Sequence, residues 1–232
     1  MISDNLNRIR EKIDEAANIS GRSPEEIKLV AVSKRFPATV IKEAFEGGQT
    51  LFGENYIQEV QQKRLEIPAG AHFHFIGHLQ TNKARIAAES CVMVETVDRL
   101  KLARALSRHL EKLNKKMDIL VQVNIGEDSN KSGVSVNDAE KLLYELKSVP
   151  QIRVCGLMTI PPIESSPEDS RPHFRNLRLL ADKLSEKDLF ADNKNIELSM
   201  GMSGDFHIAI AEGATIVRVG TAIFGNRPVR RQ

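Results

Sequence analysis

Lys34 closes the segment Ala31-Val32-Ser33-Lys34, an apolar run that ends in an amine. Such a residue stands where a strand gives way to a loop. An amine held in a dry pocket loses part of its charge, becomes nucleophilic and can form a Schiff base with an aldehyde. On an open loop it stays solvated and does none of this. Asn55, in Phe52-Gly53-Glu54-Asn55-Tyr56, offers both a donor and an acceptor at the end of a second apolar run, or it caps the helix that follows. The segment Ser199-Met200-Gly201-Met202-Ser203-Gly204-Asp205 sets two serines and two glycines ahead of a helical stretch. Hydroxyls and N–H groups there suit an anion, and a helix N-terminus favours negative charge. A plain loop capped by Ser203 or Asp205 is the other reading. In Val217-Arg218-Val219-Gly220-Thr221 a guanidinium interrupts an apolar run, which is costly without a partner. Gly220 and Thr221 then add backbone N–H groups and a hydroxyl.

Other polar residues carry less chemistry. His72, His74 and His78 include a His-x-His pair, but no third carboxylate or cysteine is spaced to complete a metal site. Packed or hydrogen-bonded histidines are expected, and no metal. Gln122 and Asn124 alternate with valines, so they point together toward a polar-lined mouth. Lys131 reads as a solvated loop lysine.

These residues need elements to hold them. Strands are expected at Lys28–Val32, Thr50–Gly53, His72–Ile76, Val92–Thr96, Ile119–Val123, Val154–Met158, Glu197–Met200 and Ile216–Val219. Helical patterns lie between them, at Pro37–Phe45, Gln58–Leu65, Asn82–Glu89, Asp98–Lys116, Asn137–Lys147, His173–Ser185 and Asp205–Glu212. Another amphipathic helix opens the chain. Strands separated by helices pair in parallel through right-handed crossovers. Eight such units in 232 residues predict an α/β fold: a single (β/α)8 TIM barrel, residues 1–232, with an extra N-terminal helix. An open doubly wound sheet is the alternative, weakened by the lack of a GxGxxG after any strand. In a closed barrel the eighth strand pairs with the first. Lys34 then lies beside the anion-binding segments after strands seven and eight. An amine next to a phosphate cradle is the arrangement that pyridoxal 5′-phosphate (PLP) requires.

The motifs AVSK, FGENY, HFIGHLQTNK, VNIGEDSNKSGV, GLMTIPP, LSMGMSGDF and VRVGTAIFG, in this order along nearly the whole chain, resemble the pyridoxal phosphate homeostasis protein family. That family is similar in fold to the N-terminal barrel of alanine racemases. The resemblance implies that Lys34 carries PLP covalently as an internal aldimine. Ser199, Ser203, Gly220 and Thr221 would hold the phosphate, with Met200 counted among the cofactor contacts. Arg218 would face the pyridine nitrogen and Asn55 the ring. It further implies storage or delivery of the cofactor, transient hand-over to PLP-dependent apoenzymes, and little or no turnover. A racemase or lyase, and a sugar-phosphate barrel enzyme using Lys34 on its substrate, are the competing readings. Arginine at the nitrogen weakens the ring as an electron sink. A racemase also needs a second base, and the chain has two tyrosines, Tyr56 and Tyr144.

Composition agrees with this reading. With 33 basic and 31 acidic side chains the charge is near balance, which speaks against nucleic acid as the main partner. The terminal Pro-Val-Arg-Arg-Gln reads as a solvated end. No apolar run is long enough for a membrane span and no signal peptide is apparent, so a cytoplasmic location is expected. Cys91 and Cys155 sit in apolar runs, as core residues of a reducing compartment. Without a second domain, a monomer is expected.

Overall fold

The computed structural model describes residues 1–128, 131–162 and 165–226. The arginine-rich end, 228–232, lies outside them. Eight parallel strands close into a barrel in sequence order. They are β1 (Lys28–Val32), β2 (Leu51–Glu54), β3 (His72–Phe75), β4 (Met93–Val97), β5 (Met117–Gln122), β6 (Ile152–Met158), β7 (Glu197–Ser199) and β8 (Ile216–Val219). The ring closes between β8 and β1, with Val30 opposite Arg218 and Ala31 opposite Val219. The outer helices are α1 (Ile2–Ile19), α2 (Ala38–Glu46), α3 (Ile57–Lys63), α4 (Ala84–Ser90), α5 (Leu100–Lys112), α6 (Val136–Leu146), α7 (Arg171–Ser185), α8 (Phe206–Ala211) and α9 (Thr221–Phe224).

Strand alternation explains the core. Outward residues such as Phe52, Phe73, Phe75, Ile119 and Val217 pack under the helices. Each fully buried large side chain there contributes about 1.5–3 kcal/mol. Inward residues Val30, Met93, Leu120, Met158 and Ile216 form a separate apolar plug. α1 buries Leu6, Ile9, Ile13, Ala16 and Ala17 at helical spacing, against α8, α9 and α2. Asn5 Nδ2 adds a 2.8 Å bond to the Ile223 carbonyl.

Several boundaries differ from expectation for local reasons. α5 stops at Lys112 rather than Lys116, because Asn114 turns left-handed at φ 50°, which asparagine tolerates. Leu113, just past the helix end, is exposed. α7 starts at Arg171, two residues early, because Pro172 is accommodated in the first turn. Thr81 and Asn82 lie in a short 3₁₀ turn, so α4 begins at Ala84 rather than Asn82. Cys91 is buried and Cys155 half-buried, both as free thiols.

Candidate functional site

The C-terminal ends of β1, β2, β7 and β8 surround a cavity of about 270 Å³. Lys34, Asn55, Ser203, Arg218, Gly220 and Thr221 all line it, although the chain separates them by up to 187 positions (221 − 34). Val32, Ile76 and Ile160 supply apolar walls that suit a flat ring. The volume is near the lower end for ligand sites, about 300–1,000 Å³, so a small molecule fits best. A larger cleft, about 560 Å³, lies between α1, α7 and α8 and shares Ser203 and Gly204. Its Arg171 is already taken by Glu168 and Glu212. The smaller cavity gathers the convergent polar groups and is the better site.

Lys34 rides on a turn closed by Phe36 N–H donating to the Ser33 carbonyl at 3.1 Å. Asn55 Oδ1 is buried and has no hydrogen-bond partner. It does not cap α3, whose cap position is Tyr56. After β7, Gly201 takes φ 89°, a left-handed turn where an added Cβ would lie 2.6 Å from Ala209 Cβ. This turn brings Ser203 to the cavity. Ser203 Oγ accepts from Gly220 N–H at 3.4 Å, joining the loops after β7 and β8. Asp205 occupies the α8 cap position, but its carboxylate accepts from Met202 N–H at 2.6 Å and steadies the loop instead.

Ser199 and Met200 are placed otherwise than expected. Both are fully buried and neither lines the cavity. Ser199 Oγ donates to Glu95 Oε2 at 2.6 Å and accepts from Arg218 Nη1 at 2.6 Å. Arg218 Nη2 donates to the Thr159 carbonyl at 2.8 Å. On the far side, His74 Nδ1 and Glu95 Oε1 are 2.6 Å apart. β4 and β7 are not sheet neighbours, so the Ser199–Glu95 bond crosses the barrel interior. Burial raises the Glu95 pKa. His74, Arg218 and Ser199 outweigh that and hold its carboxyl below the ordinary range. Burial lowers the Arg218 pKa, with Glu95 and Asp205 opposing.

Glu95 was not among the expected site residues, although an acid in the middle of an apolar strand is a natural partner for Arg218. Nor were Lys63, Glu54 and Glu59, which lie behind the Lys34 turn. Gln122 and Asn124 do not line the cavity: they donate to the Ser132 and Asp128 carbonyls and tie down the loop after β5. Lys131 is not simply solvated, because its ammonium donates to the Ile160 and Pro161 carbonyls.

Residues 5–228 match the family model described as alanine racemase, N-terminal domain. The chain is 40% identical over 225 residues to the pyridoxal phosphate homeostasis protein of Aquifex aeolicus, covering 97% of each. PipY of Synechococcus elongatus PCC7942, solved with PLP bound, superposes with a TM-score of 0.83 at 34% identity, over 97% of this chain and 100% of that one. An alanine racemase of Clostridium difficile shares the fold alone: TM-score 0.70, 19% identity, 98% of this chain but 57% of that one.

Proposed function

The chain belongs to the pyridoxal phosphate homeostasis proteins, within the alanine racemase N-terminal domain family, and from that membership we propose that it binds PLP and holds it for cofactor homeostasis. The observation that carries the proposal is the joining of Lys34, Arg218 and the Ser203 and Thr221 hydroxyls around one small cavity. The residues fit the cofactor. An aldehyde meets an amine, a phosphate dianion meets hydroxyls and N–H groups, and a ring meets apolar walls. The unpartnered Asn55 amide oxygen calls for a ligand or bridging water.

In this reading Lys34 Nζ would hold the aldehyde end of the cofactor. Ser203 Oγ and Thr221 Oγ1 would take the phosphate, with the Gly220 N–H shared between it and Ser203 Oγ. Asn55 orients the ring edge. Arg218 donates toward the pyridine nitrogen. Ser199 acts indirectly by aiming Arg218, and Met200 packs beneath the loop. When bound, PLP supplies an electrophilic carbon and an electron sink for amino-acid carbanions. This chain's residues restrain the second property. Arg218 stays cationic and opposes a proton on the ring nitrogen. Among the described residues that line the cavity, Lys34 and Arg218 are the titratable ones, so no second acid–base group faces a bound amino acid. Tyr144 is on the outer helix α6, and Tyr56 is not in the lining.

We therefore read the protein as a monomeric, cytoplasmic reservoir that passes PLP transiently to apoenzymes, with little or no turnover. Among the described residues no helix is long and apolar enough to cross a membrane. The two free cysteines fit a reducing compartment. The test is borohydride reduction of the PLP-loaded protein followed by peptide mass spectrometry. The expected adduct is on the Lys34 peptide and is absent from Lys34→Ala, which keeps some cofactor through the phosphate. An adduct on Lys83 or Lys131 instead would overturn the assignment.

A further inference from the structure

Lys34 is followed by Arg35 at φ 67°, a left-handed conformation uncommon outside glycine. A turn of this kind persists only where its surroundings hold it. Here the hold is specific. Arg35 N–H donates to Glu59 Oε2 at 2.8 Å. The same oxygen accepts from Lys63 Nζ at 2.7 Å, one helical turn along α3. Lys63 Nζ also donates to the Ser33 carbonyl at 3.0 Å and to Glu54 Oε1 at 2.7 Å. Ser33 Oγ closes the ring with a 2.7 Å bond to Glu54 Oε1. All three ammonium donors are thus used: on the Ser33 carbonyl before Lys34, on Glu59, which itself holds the Arg35 N–H after it, and on the end of β2. Lys63 is 6% exposed and Glu54 fully buried. A core of this size has no packing need for an ammonium ion, and burying one is costly without such partners.

We propose that Lys63 and Glu59 are positioning residues for Lys34: they grip the backbone on both sides of it so that its amine is presented to the aldehyde. The inference rests on the PLP reading above. In the step concerned, the neutral Lys34 amine attacks the aldehyde carbon. A C=N bond forms, and the aldehyde oxygen leaves as water with the two amine protons. A misplaced turn weakens this bond but leaves the phosphate and ring contacts intact.

Two probes separate these effects. PLP can form the imine. Pyridoxine 5′-phosphate, with an alcohol in place of the aldehyde, cannot. In Lys63→Met and Glu59→Ala, PLP affinity is expected to fall by about tenfold or more, and the visible band of the imine to form more slowly, while pyridoxine 5′-phosphate affinity stays within about twofold. Glu59→Gln, which keeps an acceptor for Arg35 N–H, is expected to recover most of the PLP affinity. Equal loss of both ligands would show a general packing role and overturn the proposal, as would unchanged affinity for both. Should Lys63→Met fail to fold by circular dichroism, the two Glu59 variants decide the matter. Failure of the PLP reading itself is seen separately, as the absence of a reducible Lys34 adduct in the unmutated protein.

Discussion

Ser203 and Thr221 each bring one hydroxyl to the cavity, from loops that adjoin through the Gly220 N–H. A hydrogen bond to a charged group contributes about 1.5–3 kcal/mol. Ser203→Ala and Thr221→Ala should therefore each weaken PLP binding by about tenfold to a hundredfold, and the double variant by more than either. Pyridoxal, which lacks the phosphate, should bind poorly to the unmutated protein. Fluorescence or absorbance titration measures both. Equal affinity for pyridoxal and PLP would remove the phosphate cradle from the site. Ser199→Ala belongs to a different mechanism, since its hydroxyl reaches Glu95 and Arg218 rather than the cavity.

At the scale of elements, Glu95 on β4 and Arg218 on β8 form a buried ionic layer bridged by Ser199 on β7. Removing one partner of a buried charge pair costs about 3–5 kcal/mol, because the other charge stays behind. Glu95→Ala is expected to destabilise the barrel by that amount in urea denaturation, and Glu95→Gln by less. A loss below about 1 kcal/mol in Glu95→Ala would show that the layer contributes little. The end of β2 carries a second buried acid. Burial pushes the Glu54 pKa up to about 7 against the Lys63 ammonium and the Ser33 hydroxyl, with Glu59 reinforcing the rise. Burial pushes the Cys91 thiol up to about 12, with the Glu54 charge adding to the rise. The folded protein therefore holds the Glu54 proton more tightly than the unfolded chain does. Its stabilising contribution is complete below about 4.5 and is lost as pH rises through about 7. From pH 5 to pH 8 the unmutated protein should lose on the order of 1–3 kcal/mol relative to Glu54→Gln, read from paired denaturation curves. Parallel pH dependence of the two proteins would refute this.

At the scale of the whole molecule, the described strands form one closed barrel. The chain spans 57% of the alanine racemase chain it resembles in fold. In the proposed reading the cavity offers Lys34 on one side and, in Arg218, a permanent cation toward the ring nitrogen. A carbanion at an amino acid's α-carbon is poorly delocalised without a protonated nitrogen, so the barrier to proton removal stays high. PLP-loaded protein should exchange the α-deuterium of alanine far more slowly than the ~1–10³ s⁻¹ of ordinary enzymes. Exchange within that range would replace the reservoir by a racemase or lyase.

The barrel was legible in the chain because burial on both faces makes each parallel strand an apolar run, and the intervening helices have their own period. That Lys34, Asn55, Ser203, Arg218, Gly220 and Thr221 meet at one end of the barrel was legible as well, since all six stand at or just beyond strand ends. Element ends were less so: local conformation at Asn114 and Pro172 moved them. Which hydroxyls face the cavity was settled only by the closed barrel. Ser199 and Ser203 lie four positions apart in one motif, yet the left-handed turn at Gly201 sends the second to the cavity and leaves the first beneath it. The partnership of Arg218 with Glu95, 123 positions away in sequence (218 − 95), likewise exists only across the barrel. A strand's alternation tells that a side chain points inward. What it meets there depends on how eight strands close, and no local pattern encodes that.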